Sequence, residues 1–540
     1  MTIDRPAHQL IESTSSTTSS YDAIVIGAGI GGLTSAAMLS KAGMRVFLAE
    51  MGSRPGGYLA GFQRNGFRFE TAIHWLNQCG PTGFVRKVFD SIAPGAPVTT
   101  PNSRIRRYVS ESYDYLLTTN PDDLRQRMIA EYPADVKPIR AFFEAGKGTA
   151  AAFSRMSAMC RSQETMSFVE KLGRLASVNV AAFPLMRYSM YSAERGISRF
   201  FDSGAIRRVF NTNKHLLSCL VPIGWAYSND YQLPPPGGSQ TYAEWLCRVL
   251  ASHGGTLACN TRVTRVSVEN GRATGVTCVC DGQEIDVRAR YVVAACDVES
   301  LYARMLPEGS VSRNTVRKQQ SADLYNSCVT VSLGLDCPTE QFGLNEEQVQ
   351  LKRDDITRRT QESEAADKAE ITAIASSFRD PSLAPKGKGI LTIYAPTSLG
   401  HGNYWQAERA SDGGFIRGNA YRWFKKQYAD TLINRVEELV IPGLRDHIEI
   451  MDIATPLTYL RYTGNRGGAI MGFRPSFRNV RNGVAHYTTP IRNLFVGGQW
   501  AELGGGMPIA VKAGANAAML ILKQEKPEEF RGICRTFDGK

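Results

Sequence analysis

At 540 residues the chain exceeds one ordinary hydrophobic core, so two or more domains are expected. A content of 43% hydrophobic and 21% charged residues marks a globular protein, and a net charge of +12 with no dense Lys/Arg run gives no reason to expect a nucleic-acid partner. Eleven cysteines are scattered without CxxC spacing, which argues against a metal site or a disulfide framework and makes a reducing compartment the default.

Residues 1–20, MTIDRPAHQLIESTSSTTSS, lack the apolar core of a signal peptide and read as a disordered arm. No apolar run approaches the length needed to span a bilayer, so the expectation is a cytoplasmic protein, at most peripheral at a membrane. Then comes AIVIG, a short β-branched run stopped by glycine, which predicts a buried strand. Gly27, Gly29 and Gly32 follow at G-x-G-x-x-G spacing, LTSAAMLSKAG has helical composition, and RVFLAE predicts a second strand ending in Glu50. In such a unit Gly27 permits the tight turn, Gly29 lets the backbone approach a pyrophosphate, and Gly32 lets helix and strand pack closely. The helix N-terminus offers unpaired N–H groups and a partial positive charge, and Glu50 would accept bonds from the ribose hydroxyls.

The unit occupies 21–84 and fits NAD or FAD equally well. Residues 85–233 read as a helix-rich region, with aromatics and methionines interleaved at 183–201 that suit an apolar tunnel, a membrane contact or plain helical packing. At 234–299 a glycine-led helix precedes TRVTRVSV, ATGVTCVC and YVVAAC, all strand-like. Residues 300–454 mix strands with charged stretches; 345–370 is charge-balanced and predicts a solvated helix. In 455–525, LFVGG predicts a strand, Gly504 to Gly506 a loop and 507–522 a helix; 526–540 is a tail. A second glycine loop and helix N-terminus far from the first suits extended FAD, because a helix N-terminus stabilises negative charge on a reduced flavin ring.

The opening unit, its Gly56–Gly57 continuation and the closing glycine-loop helix resemble FAD-dependent oxidoreductases of the amine oxidase superfamily. NGFRFETAIHWL (65–76), SSFRDPSLAPKGKGILTIYAPTS (376–398) and TPLTYLRYTGNRGGAIMG (455–472) are similar to segments of its phytoene desaturase, carotenoid isomerase and retinol saturase branch. Ala72 and Glu70 depart mildly from that pattern, and neutral Gln499 stands where many members keep an acid near the ribityl chain. The resemblance implies an α/β protein: a Rossmann-like FAD-binding domain assembled from discontinuous segments, and a second mixed α/β substrate domain bearing the helix-rich insertion. It implies FAD contacts from Gly27, Gly29, Ile30, Gly31, Gly32, Glu50, Met51, Gly56, Gly57, Tyr58, Val263, Gly498, Gln499, Met507, Pro508 and Ile509, with no metal. FAD binding is expected to be non-covalent, since GGQWAELGGGMP holds no Cys or His.

His74 is the one catalytic candidate; it could donate a hydrogen bond or relay a proton, or be a structural histidine near the flavin. Trp75 suits a tunnel wall or the core, and Arg461 a substrate carboxylate or an internal acid. The leading expectation is desaturation, saturation or isomerisation of a long apolar polyene. An amine oxidase or natural-product tailoring oxidase on a smaller substrate is the second reading, and a non-enzymatic lipid-binding escort of the same architecture the third. The basic charge suits a peripheral contact with anionic lipid or an acidic carrier protein; the oligomeric state is not legible.

Overall fold

The computed structural model describes residues 20–157, 159–174, 185, 187–188, 191–211, 215–355, 365–400, 402–411 and 414–539. Residues 1–19 of the expected disordered arm, much of the aromatic stripe before residue 191 and 356–364 of the charged stretch lie outside the described residues.

In chain order, the elements that position the site are β1 (Tyr21–Ile26), α1 (Ile30–Lys41), β2 (Val46–Ala49), β3 (Arg104–Val109), β4 (Asp114–Thr118), α2 (Val136–Ser157), α3 (Leu216–Tyr227) and β5 (Thr256–Ala258). They continue with β6 (Thr261–Glu269), β7 (Arg272–Cys280), β8 (Gln283–Ala294), β9 (Ser327–Leu335), β10 (Gln348–Leu351), β11 (Ile371–Ile374) and β12 (Gly389–Thr397). Last come α4 (Asn419–Leu439), β13 (Ile448–Ala454), α5 (Pro456–Thr463), β14 (Leu494–Val496) and α6 (Met507–Glu525).

The first sheet draws strands from three distant stretches of chain. Its order is β6-β7-β8-β1-β2-β5, with β14 pairing β8. β8 serves two layers: Gln283 to Arg288 pair antiparallel with β7, whereas Ala289 to Ala294 run parallel to β1. Its last three residues also pair in parallel with β14. The parallel strands are apolar because both their faces are covered: β1 buries Ala23 to Ile26 and β2 buries all four of its residues. α1 is buried from Ile30 to Ser40, between this sheet and α6. The two helices approach closely enough for the Ser35 hydroxyl to donate to the Gly514 carbonyl at 2.8 Å.

The second sheet has the order β13-β9-β12-β11-β10-β3-β4. The helix-rich region 85–233 also contributes β3 and β4, a hairpin whose first strand runs parallel to β10. One sequence expectation changes here. The solvated helix expected over 345–370 is replaced at Gln348–Leu351 by β10, a strand with all four residues buried. Its Gln–Val–Gln–Leu alternation, not the charge of its neighbours, decides its structure. On one face of this sheet Val329, Val331, Leu333, Val349, Ile371, Ala373, Leu391 and Ile393 pack against α4 residues Tyr428, Leu432 and Val436. A third core joins the hairpin to the helices: Ile105 and Tyr108 meet Phe142, Phe143, Phe201, Phe210 and Ile223. Among the described residues no helix is long and apolar enough to cross a membrane.

Candidate active site

A cavity of about 920 Å³ opens where the parallel strands end. Ligands in open α/β sheets sit at the carboxyl ends of the strands. The walls follow that rule: Ile26 and Gly27 at the end of β1, Ala49 and Glu50 at the end of β2, Ala295 to Asp297 after β8, and Gly498 to Trp500 after β14. Both helix N-termini open onto it, α1 through Gly29 to Gly31 and α6 through Gly506 and Met507.

Of the residues expected to hold the cofactor, Gly27, Gly29, Ile30, Gly31, Glu50, Met51, Gly56, Gly57, Tyr58, Val263, Gly498, Gln499 and Met507 share this wall. Three do not. Gly32 faces the protein: a Cβ there would lie 1.9 Å from the Gly27 carbonyl oxygen, so its task is the strand–helix contact. Pro508 and Ile509 turn away because a helix advances about 100° per residue, and Met507 and Ala510 are the α6 side chains left on the cavity side. Arg461 also lines this cavity, its guanidinium 5.4 Å from the centre of the Tyr462 ring.

Electrostatics are set by burial. Each Glu50 oxygen accepts one backbone N–H, Oε2 from Ala28 at 2.8 Å and Oε1 from Gly52 at 2.7 Å. Burial pushes its pKa up while those two bonds pull it down, and both oxygens keep lone pairs for ribose hydroxyls. Tyr58 donates to the Ala469 carbonyl at 2.7 Å and accepts from Asn465 at 3.1 Å, and burial pushes its pKa up to about 12. Burial likewise drives the Cys296 thiol up to about 12. The one cysteine on the cavity wall therefore lacks the thiolate that a covalent flavin link requires. The acid nearest Gln499 in sequence, Glu502, is spent elsewhere: it pairs with Lys512 at 2.9 Å and accepts from Tyr487 at 2.7 Å.

Beside this cavity lies a second, smaller space of about 100 Å³, and Ile73 borders both. His74 belongs to the smaller one and not to the cofactor cavity. Its ring stacks on Tyr394 at 5.6 Å with 9° between planes. Nδ1 has no partner, and burial lowers the pKa to about 4, so the imidazole is neutral at physiological pH. Glu70 sits on the same wall, accepting from the Ser239 backbone at 2.6 Å. Burial raises its pKa to about 7. Trp75 packs on Trp225 (5.1 Å) and Tyr231 (4.8 Å), extending an aromatic wall into the helical layer.

Sequence reasoning missed Asp297, Arg304 and Asn465, all on the main wall. Asp297 had a signal: it closes the YVVAACD run at a parallel strand's carboxyl end, where its Oδ1 caps Ser300 at 2.7 Å. It also missed the polar face of the second sheet, where Thr330, Ser332, Gln348, Gln350, Thr372 and Thr392 are all buried. Away from both spaces, Asp336, Cys337 and His447 bring ligand atoms within 4.8 Å of one another, with Asp336 and His447 already paired at 2.9 Å.

The wall fits FAD. A Cβ on Gly29 would meet nothing within 4 Å, so its backbone is bare to the cavity, and the volume matches that of cofactor sites. The family model for flavin containing amine oxidoreductase matches residues 30–410. All-trans-retinol 13,14-reductase of Danio rerio is 25% identical over 90% of this chain and 83% of its own. Prolycopene isomerase of Daucus carota is 22% identical over 94% and 82%, and lycopene-forming phytoene desaturase of Pseudescherichia vulneris 24% over 92% and 98%. Putrescine oxidase bound to putrescine shares the fold, with a TM-score of 0.58 at 14% identity over 94% of this chain and 99% of that one. The cofactor is FAD, the enzyme is an oxidoreductase, and the chain belongs to the family of flavin containing amine oxidoreductases.

Proposed function

We propose that this enzyme saturates, desaturates or isomerises a carbon–carbon double bond of a long polyene or isoprenoid-like substrate. The carrying observation is the end-to-end match to three relatives, all named for polyene chemistry, each spanned over at least 82% of its length. The structure's first sheet then serves as a Rossmann-like dinucleotide domain, and the second sheet with the helices of 85–233 as the substrate domain.

FAD, when bound, supplies hydride acceptance or donation at its N5. The chain's own residues supply position and dryness. The N–H groups of the first α1 turn would hold the pyrophosphate and Glu50 would orient the ribose. The partial positive charge of the α6 N-terminus would favour negative charge on a reduced flavin. Trp75, Trp225 and Tyr231 pack at tilted and edge-on angles into an apolar cluster that helps exclude water. His74, neutral and stacked, can accept or donate one hydrogen bond without introducing charge. An alkylammonium substrate is disfavoured by Arg106, a cation enclosed among Tyr108, Tyr231 and Tyr394.

Incubating the purified enzyme with carotenoid, retinoid and amine panels, followed by chromatography and mass analysis, tests this. A product isomeric with a polyene, or two hydrogens richer or poorer, is expected; oxidation of an amine alone would overturn the reading. We also propose a peripheral lipid contact, supported by exposed Phe168, Val169 and Leu172 beside Lys171 and by the net charge of +12.

A further inference from the structure

Side chains alternate across a strand. On the second sheet the apolar set faces α4, and the opposite face carries hydrogen-bonding groups. The pairs Thr330↔Tyr394, Thr372↔Tyr394, Gln350↔Thr372 and Gln350↔Tyr108 put these residues in register across β9, β12, β11, β10 and β3. A face built only to slide along a hydrocarbon has no use for them.

Arg106 stands at the β3 end of this face. It lies deep in the protein yet keeps accessible surface, as do Tyr394 and His74, and His74 borders the smaller space. Its guanidinium donates to Gln350 through a long bond of 3.4 Å and lies 5.9 Å from the centre of the Tyr108 ring. No carboxylate among the described residues pairs with it. The nearby acid, Glu370, is committed to Lys352 at 3.7 Å and to the Gln350 amide. Arg106, Lys352 and Glu370 therefore carry one positive charge in excess, which is costly when shielded from water. Next to the guanidinium the buried Tyr231 hydroxyl has no partner, and neither has Nδ1 of His74. Tyr231 continues the aromatic wall from Trp75, which follows Ile73 and His74 on the way from the flavin cavity.

We propose that the substrate is a polyene ending in a carboxylate, its anionic end held by Arg106 and the Tyr231 hydroxyl while its chain runs back along the Trp75 wall toward Ile73. A single excess positive charge fits a monoanion, and the planar guanidinium matches a carboxylate's two oxygens. The Tyr231 hydroxyl then gains the acceptor it lacks. This rests on the polyene reading above and names the class of polyene.

The test uses the purified holoenzyme titrated with all-trans-retinoic acid, all-trans-retinol and a carotenoid hydrocarbon, read by perturbation of the flavin bands and by product chromatography. The acid should bind about 10- to 100-fold more tightly than the alcohol, the range expected for one charge-assisted hydrogen bond. Arg106→Gln should abolish that preference, weakening the acid while changing retinol binding far less. Tyr231→Phe, which removes a hydroxyl that nothing in the fold uses, should narrow the preference several-fold without loss of stability. If Arg106→Gln fails to fold, the wild-type comparison and Tyr231→Phe decide. Equal binding of acid and alcohol, or an acid preference that survives both substitutions, overturns the proposal. Conversion of hydrocarbon without acid preference would leave the polyene reading standing and sink this one, whereas turnover of amines alone would sink both.

Discussion

Gly29 and Gly32 lie three residues apart on the same glycine motif and should fail in opposite ways. Gly29 caps α1 with φ −67° and ψ 172°, extended backbone open to any residue, and a Cβ there meets nothing within 4 Å. Replacing it by valine loses a favourable cap residue, a cost of about 1 kcal/mol. It also restricts the unfolded chain, which returns roughly 0.4–1 kcal/mol. Apo stability should therefore change by less than about 1 kcal/mol. The valine side chain instead enters the space over the α1 N-terminus. Losing two charge-assisted backbone bonds to a pyrophosphate weakens FAD by about 3–6 kcal/mol, roughly two to four powers of ten in affinity. Gly32→Ala places a methyl 1.9 Å from the Gly27 oxygen and 3.1 Å from the Ala295 Cβ, contacts that no rotamer relieves. It should destabilise by about 3 kcal/mol or more. The assay is the ratio of flavin to protein absorbance after purification, paired with denaturant unfolding of the flavin-stripped proteins. A Gly29→Val protein carrying full flavin, or one as unstable as Gly32→Ala, would refute the reasoning.

Glu50→Gln exchanges a charged ribose acceptor for a neutral one and should weaken FAD by about 1.5–3 kcal/mol without preventing folding; titration of the apoprotein with FAD measures it, and unchanged affinity contradicts the role. Glu70 titrates near pH 7 in the folded protein and near 4.5 outside it, so its contribution to stability is full below pH 4.5 and is lost as pH rises through 7. Glu70→Gln removes that loss. Its stability relative to wild type should climb by up to roughly 3 kcal/mol between pH 4.5 and about 8, read from urea midpoints; a pH-independent difference would contradict the burial argument. The protein should sediment with anionic vesicles at low salt and release at high salt, and Phe168→Ser with Leu172→Ser should abolish this; binding unaffected by salt and by both substitutions would remove the lipid contact.

The β1–α1–β2 unit was legible because its determinants are local: glycine spacing, a strand stop and Glu50 all lie within 30 residues of one another. The closing helix was legible for the same reason, though Pro508 and Ile509 do not line the cavity, since a helix shows it one side. The proposed substrate compartment was not legible. Ser and Thr in SCVTVSLGL and GILTIYAPT read simply as strand formers. Only pairing across more than 200 residues puts Arg106, Gln350, Thr372 and Tyr394 on one face. Arg106 was further hidden because β3 interrupts a region whose composition is helical. His74 was found by resemblance to a segment expected beside the flavin, but the sequence does not show that Ile73 stands between it and the larger cavity.

The central claim, an FAD enzyme built for polyenes within a family named for amine oxidation, meets its most direct test in the visible spectrum of the purified protein under anaerobic conditions. Addition of a conjugated polyene should shift or bleach the flavin bands, and putrescine should leave them unchanged. A colourless protein, or one whose flavin is bleached by putrescine and untouched by every polyene, would contradict the account.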